Sequence, residues 1–136
     1  MAAPASSSCF NELRRDGFDA ERWNRMNPEA RTPRKADVTQ LLEGRQGPAI
    51  AATDYVRFPD QIRAFIPGHY TVLGTDGFGR SDTRVNVRRF FEVDRHYIAH
   101  AAIAALAKEG KMTGKDVARA IKQYKIDVEK VNPVGV

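Results

Sequence analysis

The chain has one cysteine, Cys9, so no internal disulfide can staple it. With no second Cys and no His close to it in sequence, a metal site built on that thiolate is not expected. A lone thiol suits a reducing compartment, and the expected location is the cytoplasm. No apolar run reaches the roughly 18 residues that a membrane-spanning helix needs, so no membrane partner is expected. The opening Met1-Ala-Ala-Pro-Ala-Ser-Ser-Ser8 has neither a basic nor an apolar leader segment. It does not read as a secretory signal, and residues 1–7 are expected to be a disordered start.

Familiar catalytic signatures are scarce too. His69, His96 and His100 are the only histidines. His96 and His100 share a helix face at the i, i+4 spacing of a two-His metal site, but no Glu follows His96, which excludes the HExxH pattern. His100 reads more simply as the polar edge of a buried helix. No lysine follows Gly79 as in a phosphate-binding Walker loop, and no Ser, Cys or Thr nucleophile can be matched to a base.

What is present describes a globular domain. The 136 residues are 42% hydrophobic and 29% charged, enough for one core and one domain. The net charge of +5 raises the question of nucleic acid, but the basic residues run along the whole chain among 17 acids. The densest cluster, Arg80, Arg84, Arg88, Arg89 and Arg95, is interleaved with Asp82, Glu92 and Asp94. That pattern fits a solvated or interface helix face, and nucleic acid is not the expected partner.

Local signals outline the elements. Ser8 to Met26 reads as two short helices, the first from Cys9 to Arg15 closed by Gly17, the second carrying Asp19 to Asn24. Asn27 to Arg34, with two prolines, reads as a linker. Ala36 to Leu42 suggests a further short helix ended by Gly44. Pro48 to Thr53 is a short apolar run without alternation, as in a parallel strand covered on both faces. Tyr55, Phe58, Ile62, Phe65 and Ile66 fall at helical spacing and are expected to face the sheet, with Pro59 breaking that helix or sitting in its first turn. Tyr70 to Gly74 is the second strand, reached by a crossover long enough for a parallel connection. A helix from Ser81 to Phe91, capped by Ser81 or Asp82, should follow. Asp94 should cap a helix from Arg95 to Lys108 that is apolar almost all round and therefore buried, ending at Gly110. Thr113 and Asp116 form a capping-box pattern for a last helix. That helix points Val117, Ile121 and Tyr124 inward and Lys115, Arg119 and Lys122 outward. Residues 127–136 are expected to be an extended tail. The fold class is α/β, a short, mostly parallel sheet flanked by helices, in a single domain spanning 1–136.

Chemistry concentrates where strands meet helices. Gly74, Gly77 and Gly79 mark backbone expected to take positive φ or to approach another surface closely. The loop leads into a helix N-terminus and could cradle a phosphate. Its glycine order is not the dinucleotide fingerprint, and Asp76 and Asp82 would repel an anion, so a tight turn with an interface role is the better reading. Thr53-Asp54 and Thr75-Asp76 close the two parallel strands, where open α/β sheets place ligands. The two carboxylates could serve acid–base chemistry or hold a metal, whereas Asp54 as a helix cap is the simpler alternative. The candidate interface or ligand residues are therefore Asp54, Thr75, Asp76, Gly77, Phe78, Gly79, Arg80, Ser81 and Asp82.

Several blocks in order carry a wider resemblance: Phe10 to Gly17, Asp19 to Asn24, Ala51 to Tyr55, Gly74 to Asp82, Phe91 to Asp94, Ile126-Asp127 and Asn132-Pro133. Together they resemble the carboxy-terminal domain of bacterial homodimeric pyruvate dehydrogenases, the decarboxylating, thiamin-diphosphate-dependent component of the pyruvate dehydrogenase complex and part of the transketolase superfamily. The resemblance implies a three-layer α/β domain that lacks the family's opening strand and helix and has a shortened Asp54–Tyr70 region. It implies membership of an enzyme that decarboxylates pyruvate and acetylates a lipoyl group of the acyltransferase component.

In that family thiamin diphosphate and magnesium lie between the amino-terminal and middle domains, on a Gly-Asp-Gly…Asn motif and a catalytic Glu that are absent here. No catalytic, cofactor-binding or metal residue carries over, and Asp76-Gly77 is not that motif. The implied role is structural and dimer-supporting, with the enzyme's catalytic domains or a second copy of the chain as partners and the acyltransferase component reached indirectly. The alternative is a free-standing α/β module with an anion or partner site at the Gly74–Ser81 loop.

Overall fold

The computed structural model describes residues 9–136, and the expected disordered start at 1–7 lies outside the described residues. In chain order the elements are α1 (Phe10–Met26), α2 (Asp37–Leu42), β1 (Ala49–Ala52), a 3-10 helix (Phe58–Phe65), β2 (Tyr70–Leu73), α3 (Arg84–Phe90), α4 (Arg95–Lys108), α5 (Gly114–Gln123) and a terminal 3-10 turn (Pro133–Gly135). They are distributed over two compact units. One holds the described residues up to Arg45 together with Pro59–Pro67, the other Gln46–Phe58 with Gly68–Val136.

In the first unit, the two helices expected before Met26 are one continuous helix, and Gly17 does not end it. Gly17 is buried in its middle, and a Cβ there would fall within the ring of Phe65. The glycine lets an aromatic ring lie directly on helix backbone, at a cost of about 1 kcal/mol in helix propensity relative to alanine. Phe18 meets the same ring edge-on, at 5.6 Å between centroids. The neighbouring α2 is tied in from both sides. Its first amide, Asp37 N, donates to the Asp16 carboxylate at 2.6 Å, and Thr39 Oγ1 donates to the Phe65 carbonyl at 2.6 Å. The linker is pinned as well, because Asn24 donates to the Arg34 carbonyl and accepts from the Arg34 amide.

Pro59 lies in the first turn of a 3-10 helix rather than breaking an α-helix. Three residues per turn put Pro59, Ile62 and Phe65 on one side, and these are its buried residues. The expected burial of Tyr55 and Phe58 at α-helical spacing is not observed: they are 68% and 39% exposed. Tyr55 precedes the helix, and Phe58 falls outside the threefold repeat.

In the second unit, β1 and β2 pair in parallel, Ala49 opposite Tyr70 through Ala52 opposite Leu73. Tyr70 and Val72 alternate inward on β2. The α4 helix packs on both strands and on α5. Its N-terminus is held as expected by Asp94, which accepts from the amides of His96 and Tyr97 at 2.9 Å each. Burial raises the Asp94 carboxyl, but the bonds from Tyr97 N, Arg89 and His96 N outweigh it and hold the group below its ordinary value. Only Tyr97 and Ala105 of α4 are buried and most of the rest are half-buried, so the helix is less enclosed than its apolar composition suggested. Gly110 follows α4 at φ 75°.

The Thr113–Asp116 capping box forms in both directions and opens α5. The Thr113 hydroxyl and amide bonded to the Asp116 carboxylate lower its pKa. Val117, Ile121 and Tyr124 are half-buried, while Lys115, Arg119 and Lys122 are exposed, as their spacing required. The tail is not extended throughout. Asn132 caps its final turn by accepting from Val134 N, and Pro133 is buried.

Candidate functional site

An aspartate follows each strand, Asp54 after β1 and Asp76 after β2, and the second unit brings the two exit segments together. Thr53 N donates to Leu73 O and Thr75 N to Tyr55 O, so strand-like bonding continues past β1 and β2. Thr75 Oγ1 donates to the Asp54 carbonyl at 3.1 Å. Each carboxylate then meets an arginine. Asp54 pairs with Arg88 of α3 at 2.5 Å, and Asp76 pairs with Arg57 Nε at 2.6 Å while accepting from Arg57 N at 2.9 Å. Asp54 therefore caps no helix; it ties β1 to α3. Asp76 folds the β1 exit loop against the β2 exit loop.

The glycines have unequal reasons. At Gly74 a Cβ would meet the Arg57 backbone amide at 2.9 Å and the Tyr55 carbonyl at 3.0 Å, so the two exit loops can touch only without a side chain. Gly77 has φ 106°, and its Cβ would land on the carbonyl oxygen of Pro133, which brings the chain's final turn against the loop. Gly79 does not have positive φ, and a Cβ on it would meet no described atom within 4 Å, contrary to the expectation for it. Phe78, between them, is 83% exposed.

Beyond the glycines the loop serves α3. Thr83, not Ser81 or Asp82, is the N-cap, its hydroxyl accepting from Asn86 N at 3.3 Å. Asp82 stands beside the cap: it accepts from the Asn86 side chain at 2.9 Å and the Thr83 amide at 2.6 Å, and these bonds lower its pKa. Arg80 lays its guanidinium over the Phe90 ring at 4.0 Å. Arg80, Ser81, Asp82, Asn86 and Phe90 line a hollow of about 320 Å³.

Three of the five clustered arginines, Arg80, Arg88 and Arg89, are engaged within the fold. Arg89 donates to Asp94 at 3.1 Å and to the carbonyls of Tyr124 and Lys125 at 2.9 and 2.5 Å, closing the end of α5 onto the start of α4. Lys130 donates to the Phe90 carbonyl at 2.6 Å and pairs with Glu92 at 3.0 Å. His96 stacks on Tyr124 at 5.4 Å, and His100 Nε2 is buried without a hydrogen-bond partner among the described residues. Among the described residues, no three His, Cys, Asp or Glu side chains are grouped to hold a metal ion, and no helix is long and apolar enough to cross a membrane.

Sequence reasoning placed Asp54, Thr75, Asp76 and Gly77 at one locus, and the structure joins them. It did not connect Arg57, Arg88 or Pro133 to that locus, although Arg88 stands in the basic cluster and Pro133 in the Asn132-Pro133 block.

Comparison with known proteins gives a consistent picture. The family described as the transketolase-like TK C-terminal domain matches residues 3–94. The chain is 54% identical over 128 residues to the pyruvate dehydrogenase E1 component of Cupriavidus necator, covering 93% of this chain and 14% of that protein. It is 54% identical over 127 residues to the protein of the same name from Pseudomonas aeruginosa, covering 92% and 14%. Against the Escherichia coli K12 protein of that name it is 49% identical over 130 residues, covering 94% and 14%. The chain therefore spans about one-seventh of the length of the curated relatives it matches.

Proposed function

The chain belongs to the transketolase-like C-terminal domain family, and from that premise we propose that it acts as the carboxy-terminal, non-catalytic domain of a pyruvate dehydrogenase. Its role is to support the catalytic domains and the dimer of an enzyme that decarboxylates pyruvate and passes the acetyl group to a lipoyl group of the acyltransferase component. The observation that carries this reading is the 54% identity running over 93% of the chain while covering 14% of the relative. The reading places the enzyme in the cytoplasm.

Such an enzyme uses thiamin diphosphate and magnesium, and the donor set among the described residues does not fit them. Asp54 and Asp76 are each neutralised by an arginine, and Asp82 is bonded to Asn86 and Thr83. No step of the chemistry is therefore assigned to these residues, and the cofactor belongs to other domains. The loop instead has the character of a buttress, held by ion pairs and by the final turn at Gly77.

The test is reconstitution. The chain alone is expected neither to decarboxylate pyruvate nor to bind thiamin diphosphate with magnesium by calorimetric titration. Added to the Pseudomonas aeruginosa relative deleted of its matched segment, it is expected to restore pyruvate-dependent reduction of an artificial electron acceptor. Micromolar cofactor binding by the isolated chain would overturn the non-catalytic role, and failure to restore activity would overturn the supporting one. A second reading, a free-standing module with a partner site at the Gly74–Ser81 loop, draws on the 83% exposure of Phe78. The Asp82 carboxylate lining the nearby hollow favours a partner over an anion there.

A further inference from the structure

A larger concavity lies on the α3 and α4 side of Asp54. A groove of about 780 Å³ opens at the carboxyl end of β1, between α3 and the start of α4. Its size falls within the roughly 300–1,000 Å³ of small-molecule pockets, and its position is where parallel strands leave room for ligands. Val85 on α3 and Ile98 on α4 contribute apolar wall, and Val85 is 76% exposed.

The charges of the groove are not equally available. Asp94 accepts from His96 N, Tyr97 N and Arg89, and Asp54 is paired with Arg88. Asp94 is therefore satisfied, and the Asp54 charge is neutralised by Arg88 through one carboxylate oxygen. The Arg95 side chain is exposed and makes no side-chain hydrogen bond or ion pair among the described residues. Arg88 holds Asp54 through one Nη, and a guanidinium has five N–H donors in a planar fork. With Asp54 paired to Arg88 and Asp94 to Arg89, the uncompensated charge at the rim is that of Arg95, set beside an apolar wall.

We propose that this groove binds a small organic anion, with its apolar body on Val85 and Ile98 and its charged head on the guanidinium groups of Arg95 and Arg88. A carboxylate and a phosphate monoester share the required chemistry, since a guanidinium fork engages either in bidentate fashion. An inorganic anion would leave the apolar wall unused.

The full 136-residue chain, labelled with nitrogen-15, distinguishes these cases by titration with benzoate, phenyl phosphate and inorganic phosphate. Saturable shifts of the Val85, Arg95 and Ile98 amides with benzoate or phenyl phosphate are expected, and the tighter of the two identifies the head group. Arg95→Glu should raise that Kd at least tenfold, and Val85→Asp should do the same from the apolar side. Arg84→Glu, an exposed charge reversal on α3 outside the groove, should leave it unchanged. The proposal is overturned if neither organic anion gives saturable shifts at these amides, or if inorganic phosphate binds as tightly as phenyl phosphate. An unchanged Kd in Arg95→Glu overturns it as well.

Discussion

Gly77→Ala isolates the contact that joins the glycine loop to the end of the chain. Gly77 sits at φ 106°, and any Cβ added there points at the Pro133 carbonyl. Two costs follow. Holding a side-chain-bearing residue in such a backbone region costs on the order of 1–3 kcal/mol. Relieving the clash means displacing a buried proline turn, which adds on the order of 1 kcal/mol in lost packing. The total expected is about 2–4 kcal/mol, a large part of the roughly 5–15 kcal/mol of a typical domain.

All four tyrosines lie in the second unit with Gly77, whereas the single tryptophan, Trp23, lies in the first. Urea unfolding followed by tyrosine near-ultraviolet dichroism therefore reads the affected unit, and Trp23 fluorescence serves as the internal comparison. Gly79→Ala is the control, expected within about 0.5 kcal/mol of the parent as an unencumbered surface change. Truncation after Val131 removes the obstructing carbonyl, so Gly77→Ala in that background should lose its steric part and retain its backbone part. A coupling of about 1 kcal/mol between the two changes is the signature. An unaltered midpoint for Gly77→Ala, or strict additivity with the truncation, would refute the account.

Arg89→Ala removes donors from Asp94 and from the Tyr124 and Lys125 carbonyls; hydrogen bonds to charged groups contribute about 1.5–3 kcal/mol each at most, and they share one side chain, so a loss of about 2–4 kcal/mol is expected in urea unfolding. Arg84→Ala on the same helix, with no such partners, should cost about 0.5 kcal/mol or less. Because the folded Asp94 carboxyl is lowered below its unfolded value, its contribution is present above the unfolded pKa of about 3.9 and is lost as pH falls through the folded one. Asp94→Asn should therefore lower stability at pH 7 and flatten the acid limb below about pH 4, and an acid limb as steep as the parent's would count against it. The sheet of the described residues has two strands, β1 and β2, and its outer edges invite further pairing. Light scattering after size exclusion is expected to show concentration-dependent association of the isolated chain, and a strictly monomeric species with one sharp melt would contradict this.

The parts of the fold legible in the sequence are those whose causes are local. Asp94 before α4 and Thr113 with Asp116 before α5 satisfy amides two or three residues away, so the sequence itself shows both donor and acceptor. Gly110 is likewise explained by the turn it makes. Gly17 is not, because what requires it is the Phe65 ring on another segment, and its local appearance is that of a helix stop. The cap of α3 eludes local reading for a related reason. Ser81, Asp82 and Thr83 are all good caps, and the role falls to Thr83 while Asp82 is taken up by the Asn86 side chain.

The same division explains the candidate site. That Asp54 and Asp76 close neighbouring parallel strands follows from two short apolar runs, so their proximity could be inferred. What they do there depends on Arg88 and Arg57, which no spacing rule connects to them, and those partners convert two apparent acid–base groups into structural ties. The three glycines make the point within one loop. Gly74 answers to a neighbouring backbone and Gly77 to a distant carbonyl, while Gly79 faces open space among the described residues. A glycine pattern that looks like a ligand cradle is therefore, for two of its members, a record of where the chain passes close to itself. The remaining side of that loop, at Gly79 and the exposed Phe78, is left uncovered by the described residues.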